Sequence, residues 1–221
     1  MKVLVVSVHP DDETLGCGGT ILKHKNKNDD IYWLILTEAS EALGYSKEFL
    51  SKRSNQIKDV SQEYQFTKTY NLGFPTTKLH TLDVSEIITK ISSVIQEVKP
   101  EVIYTVNRTD IHTDHQVAAK VIMSCTKSFR NPFIKRILMY ECISETEIAP
   151  PLPENAFVAH VYSDISNYLE RKIEIMKRYE DELQAPPLPR SIDNIRALAR
   201  FRGATVSVQY AEAFMILREI F

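Results

Sequence analysis

Two short stretches concentrate the side chains able to do chemistry. The first is His9-Pro10-Asp11-Asp12-Glu13, which sets four ionisable groups within five positions. Carboxylates packed this closely repel and raise one another's pKa unless a cation is present, and a bound metal ion would supply one. A solvated acidic turn would account for the acids alone; the histidine ahead of them favours a metal site. The second stretch is Asp110-Ile111-His112-Thr113-Asp114-His115. His112 and His115 stand three residues apart, so on a helix both imidazoles share one face. Two solvent-facing histidines would have the same spacing, and it is position that gives this pair weight. Two imidazoles and a carboxylate with one open position form the donor set of a catalytic zinc site. Iron(II) accepts the same triad, whereas magnesium favours oxygen donors. Zinc lowers the pKa of a bound water to about 7 in favourable sites, which makes hydrolysis the natural chemistry.

Both stretches follow strands. Lys2 to Val8 is a β-branched run suited to a strand buried on both faces. After the polar, glycine-bearing loop HPDDETLGCGG, the residues TILKHKNKN read as a short helix, and Asp30 to Glu38 as a second strand. From Ser46 the apolar positions Phe49, Leu50, Ile57, Val60 and Tyr64 follow a helical period. TKTYNLGF is a third strand. Asp83 caps a helix that must stop before Pro100. EVIYTV, the loop NRTDIHTDH, a helix from about Gln116 to Ser128 and the strand RILMYEC complete the regular part. Strands alternating with helices predict an α/β fold with a mainly parallel sheet, a Rossmann-like three-layer sandwich. Ligands of such sheets bind at the carboxyl ends of the strands, where both polar loops emerge.

The last third, from about Pro150, is less regular. Tyr168 to Gln184 reads as a charged amphipathic helix, and YAEAFMILREI fits a strand or a helix equally. No repeat or linker divides the chain, so 1–221 is expected to form a single domain. Gly16, Gly18 and Gly19 do not have the spacing of a dinucleotide-binding turn, and the acids ahead of them would repel a pyrophosphate. They are assigned to close packing of the helix start. Cys17, Cys125 and Cys142 are assigned to packing, and His24, His80 and His160 to surface or core filling.

Composition narrows the classes. The chain has 221 residues, 43% hydrophobic and 25% charged, with a formal net charge of -2, which disfavours a dedicated nucleic-acid binder. Three scattered cysteines give no disulfide framework. The apolar run at the N-terminus is too short for a signal peptide, and no stretch approaches the roughly 18 apolar residues of a membrane span. A cytoplasmic location is expected.

With HPDDETLGCGGT after the first strand and HTDH after the fourth, the chain resembles the PIG-L (LmbE-like) metal-dependent de-N-acetylases. Arg53, LGFP at Leu72 to Pro75 and RGATVSVQYAEAF at Arg202 to Phe214 extend the resemblance over nearly the whole length. It implies that His9, Asp12 and His115 bind the metal and that Asp11 is the general base. His112 would face the acetyl carbonyl oxygen in its protonated form, and Asp114 would orient and charge it. Arg53 matches an arginine of the substrate pocket. The family's Arg-x-x-Glu is here Arg53-Ser-Asn-Gln56, which leaves the ion pairing of Arg53 open. The resemblance also implies a homo-oligomer and a small amino-sugar substrate: an N-acetylglucosamine-type glycoside, conjugate or nucleotide-linked sugar. Two other readings stand beside it, a metal-dependent hydrolase of another amide or ester, and a non-catalytic α/β protein that binds a sugar or nucleotide. The complete set of ligands, base and second histidine weighs against the binder. Tyr45, Tyr70 and Phe74 could stack on a sugar ring, although a core role for them ranks first.

Overall fold

The β-branched N-terminal run forms β1 (Lys2–Ser7), in which Val3 to Ser7 are all buried. The computed structural model describes residues 1–221. Around β1 lie β2 (Asp30–Glu38), β3 (Lys68–Pro75), β4 (Val102–Val106), β5 (Arg136–Tyr140), β6 (Val161–Asp164) and β7 (Ala211–Glu219). They make one sheet in the order β3-β2-β1-β4-β5-β7-β6. The first five strands run parallel, with Val5 opposite Trp33 on one side and Tyr104 on the other. β7 is antiparallel to both β5 and β6. The expected α/β sheet is therefore present, with an antiparallel edge.

The helices are α1 (Asp12–Asn26), α2 (Lys47–Tyr64), α3 (Val84–Val98), α4 (Thr113–Cys125), α5 (Leu169–Met176) and α6 (Ile192–Thr205). α3 packs beside α4, and α1 beside α2 and α5, with α5 against α6. Right-handed crossovers put these two groups on opposite faces of the sheet, which makes three layers. The chain leaves β1 toward β2 but returns to add β4 on the other side. The crevice opened by this reversal, at the carboxyl ends of β1 and β4, is where such folds bind ligands. No helix is long and apolar enough to cross a membrane.

Several boundaries differ from the sequence expectation. The segment read as a loop after β1 is already helical from Asp12, and α4 starts at Thr113, so the HTDH residues sit on and just before a helix. α1 is broken at Cys17, where φ is -145°. Beyond the break, the amides of Gly19 and Thr20 donate to the Glu212 carboxylate at 2.8 and 2.7 Å. Glu212 thus caps the second half-helix from β7, and Lys172 Nζ on α5 donates to it at 2.7 Å. A Cβ on Gly16 would fall 2.0 Å from Tyr140 Cδ2, so this position admits only glycine.

In the last third, the long helix expected to reach Gln184 ends at Met176. There the chain turns, which lets Tyr179 bury its ring and donate its hydroxyl to Glu13 at 2.9 Å. β6 and α6 have no counterpart in the sequence reading, and YAEAFMILREI is a strand.

Candidate metal centre and catalytic cleft

The turn between β1 and α1 is built on its own side chains. Asp12 Oδ2 accepts the amides of Val8 and His9 at 2.9 and 2.8 Å, closing the loop over the helix N-terminus. Glu13, wholly buried, accepts from Thr14 Oγ1, Tyr179 OH, Ser7 Oγ and the Asp11 amide. Burial raises its pKa despite these donors. The contact from the Asp11 amide holds Asp11 at φ 135°, a backbone region that side chains rarely occupy. That turn brings the Asp11 carboxylate to the cleft floor.

His9, Asp12 and His115 converge there. His115 Nε2 lies 3.4 Å from Asp12 Oδ2 and 3.3 Å from His9 Nδ1, and one donor atom from each residue falls within 4.8 Å of the others. His115 Nδ1 sits 2.8 Å from Asp110 Oδ2, and Asp110 Oδ1 accepts from Thr146 Oγ1 at 2.7 Å. A carboxylate behind one ring nitrogen is how metal-binding imidazoles are usually oriented. Burial alone would lower the pKa of His115, but Asp12 and Asp110 raise it to about 10. Burial likewise opposes ionisation of Asp12, yet His115 and His9 hold its pKa well below the usual carboxylate range. The pocket demands positive charge at this point, and a divalent cation meets that demand. His9 Nε2 is buried with no hydrogen-bond partner. That nitrogen turns to Asp114, 3.5 Å away, whereas the donor set of His9 Nδ1, His115 Nε2 and the Asp12 carboxylate fits a metal ion.

A second grouping, His9, His112 and Asp114, also brings donors within reach of one another. Its atoms are more committed. Asp114 accepts the Thr77 amide on Oδ2 at 2.6 Å and the Leu79 amide on Oδ1 at 3.0 Å. His112 Nδ1 accepts the Asp114 amide at 3.1 Å, capping α4. In the first grouping Asp12 Oδ1 meets only the Cys142 thiol, at 3.5 Å.

These contacts bear on two of the expected roles. The Asp114 carboxylate does not orient His112: it fastens residues 77 to 79 to the start of α4 and stands 3.5 Å from His9 Nε2. Burial and the neighbouring His9 and His115 lower the pKa of His112 to about 4, which favours its neutral form over the expected protonated one. Accepting on Nδ1 leaves its proton on Nε2, so His112 is a neutral donor at the cleft.

Arg53 lies on α2, as expected, and lines the cleft. Its guanidinium is engaged: Nη1 donates to the Pro10 carbonyl at 3.1 Å and Nη2 pairs with Glu182. The carboxylate missing at Gln56 is supplied from beyond α5. Arg190, which the sequence reading did not single out, places Nη1 2.8 Å from Asp11 Oδ2 and 3.0 Å from Glu182 Oε2. Its Nε donates to Ser144 Oγ at 2.7 Å. Burial pushes the Asp11 pKa well above its ordinary value, against the pull of Arg190. No local spacing marks Arg190, which sits just past a proline-rich turn. Asp110 was visible in its motif, but its service to His115 was not.

The cleft encloses about 1030 Å³ and runs from His9, Asp11 and His112 out to a rim at Glu38, Glu41 and Tyr45. The Tyr45 and Phe49 rings stack with centroids 5.0 Å apart along one wall. Of the other aromatic candidates, Phe74 is buried and Tyr70 turns away to Glu97.

Comparison with known proteins agrees with this layout. The chain is 24% identical to the diacetylchitobiose deacetylase of Thermococcus kodakarensis, over all of this chain and 84% of that protein. It is 23% identical to a probable N-acetyl-α-D-glucosaminyl L-malate deacetylase 2 of Bacillus anthracis, over 81% of this chain and 80% of that one. The conserved protein TT1542 from Thermus thermophilus shares the fold, with a TM-score of 0.78 at 24% identity over 99% of this chain and 96% of that one. The family model for PIG-L, GlcNAc-PI de-N-acetylase, matches residues 4–126, which hold every proposed metal donor. The chain belongs to the PIG-L family and is an N-deacetylase.

Proposed function

We propose that the chain removes the acetyl group from an N-acetylglucosamine-type amino sugar, with zinc held by His9, Asp12 and His115. One observation carries the metal assignment: His115 is buried between Asp12 and Asp110 on the cleft floor, at a point that requires positive charge. When bound, the ion supplies Lewis acidity and a water nucleophile available near pH 7. Two imidazoles and one carboxylate suit zinc better than magnesium.

The remaining steps belong to side chains of the protein. Asp11 takes a proton from the attacking water; its raised pKa suits it to hold that proton and return it to the leaving amine. His112, neutral with Nε2–H free, donates to the acetyl oxygen as negative charge develops there. The new C–O bond forms, the C–N bond breaks, and acetate and the free amine leave. Arg190 fixes the Asp11 carboxylate, while Asp114 holds residues 77 to 79 against α4. Arg53 holds the Pro10 carbonyl and forms part of the substrate wall. Because Glu182 and Arg190 come from the last third of the chain, residues 1–221 act as one catalytic unit. The sugar assignment rests on the names of the two curated relatives, both amino-sugar deacetylases.

The test is amine release from a panel of N-acetylated sugars by the purified protein, before and after chelation and with zinc or iron(II) added back. Metal-dependent release on at least one member is expected. Absence of release on every member at full metal occupancy would retire the sugar reading in favour of another amide or ester.

A further inference from the structure

The cleft is lined by five carboxylic acids, Asp11, Glu38, Glu41, Glu145 and Glu182, against two guanidinium groups, Arg53 and Arg190. Neither arginine is available to a ligand. Arg53 is held by Glu182 and the Pro10 carbonyl, with its guanidinium carbon 5.4 Å from the centre of the Phe49 ring. Arg190 is shared among Asp11, Glu145, Glu182 and Ser144. No lysine lines the cleft. A carboxylate or phosphate on a substrate would therefore have to break an existing half-buried pair to find a cation, which leaves Asp11 or Glu182 without its partner.

The rim has the opposite character. Glu38 and Glu41 are exposed and enter no ion pair, and they flank the wall formed by the Tyr45–Phe49 stack. An aromatic pair beside acids suits a sugar ring bearing hydroxyls or an ammonium group, through apolar contact and through attraction of a cation to ring faces and carboxylates. Even with a divalent ion on the cleft floor, the formal balance of the cleft stays negative.

Building on the N-deacetylase reading, we infer that the group attached to the reacting sugar is uncharged or cationic, such as a second amino sugar. The cleft selects against attached carboxylates and nucleotide diphosphates. This separates the two kinds of substrate in the names of the relatives, since a chitobiose unit is neutral and malate is an acid.

The experiment compares kcat/KM for a matched series: N,N'-diacetylchitobiose, its counterpart with a free amine on the second sugar, N-acetylglucosaminyl malate and UDP-N-acetylglucosamine. Calorimetry on the corresponding free-amine sugars runs in parallel. The cationic and neutral members should exceed both anionic ones by about tenfold or more, with a gap that narrows as salt screens the rim. Glu38→Gln and Glu41→Gln should each narrow the cation-to-anion ratio by about two- to fivefold, as expected for exposed charge pairs. Preference for an anionic member in turnover and in binding would overturn the inference. Amine release from none of the series, with the same order kept in binding, would remove the deacetylase reading and uphold the charge selection.

Discussion

Arg190 Nη1 lies 2.8 Å from Asp11 Oδ2 although 179 residues separate the two in sequence. The arginine arrives from the turn before α6; the same Nη1 also reaches Glu182, and Nε and Nη2 are tied to Ser144 and Glu145. Asp11 is held from behind by its own amide on Glu13. The proposed base is therefore clamped at both ends. Truncating one clamp frees it to swing, and misplacing a reacting group by about 1 Å costs roughly 100-fold.

Arg190→Ala should accordingly reduce kcat by about 10- to 100-fold with metal content unchanged. Arg190→Lys, which keeps the charge but loses the fork, should recover only part of the loss. Turnover and metal analysis on the same preparations check this. Full activity in the alanine variant would show that Asp11 needs no such support.

Asp110→Ala should weaken metal binding by about 10- to 100-fold, because His115 loses the carboxylate that fixes its ring. Asp110→Asn should fall between, since its amide oxygen can still accept from Nδ1. Competition against a chelator of known affinity measures the effect. Asp11→Asn is the control: it should keep metal affinity while kcat drops by about 100-fold or more. Equal metal affinity in the Asp110→Ala variant would contradict its orienting role.

The legibility of this molecule follows the range over which each signal acts. β1, β2 and β4 are runs buried on both faces, and α3 carries both its cap at Asp83 and a clear apolar stripe, so local pattern suffices. His9, Asp12, His112 and His115 are readable because two adjacent turns of the sheet deliver them. The α6 helix buries only Ile195, Ala199 and Gly203, a stripe too small-sided to stand out. β7 is apolar without alternation because both of its faces are covered over most of its length. The neutral state of His112 depends on His9 and His115 crowding it, which spacing in sequence does not disclose. Arg190, Glu182 and Glu212 each reach the site through a partner more than 100 residues away.

Glu212 supports the broken helix that follows the turn proposed to be catalytic. It accepts two amides, the Thr20 hydroxyl and Lys172 Nζ, all buried. Lys172→Met should destabilise the protein by about 3–5 kcal/mol, since it leaves a buried charge without its partner. Glu212→Gln should cost a similar amount. The double variant should cost less than the sum of the two, because neither charge is left alone. Urea unfolding of the four proteins measures the coupling, and simple additivity would refute it.

His24 offers a pH test away from the proposed metal centre. It bridges Asp29 at 2.7 Å and Tyr104 at 2.9 Å, and burial lowers its pKa from 6.5 despite the pull of Asp29. A histidine with a folded pKa below its unfolded value binds fewer protons when folded. Its contribution is therefore fully present above pH 6.5 and is lost as pH falls through that value toward the folded pKa. Asp29, whose pKa is also lowered, adds a loss in the same direction at more acidic pH. Melting temperature followed from pH 7.5 to 5 should fall less steeply in His24→Gln than in the parent. The difference curve isolates this residue from the histidines of the cleft, where His115 titrates in the opposite sense. A parallel pair of curves would mean that His24 binds protons equally well in the folded and unfolded protein, and would overturn this assignment.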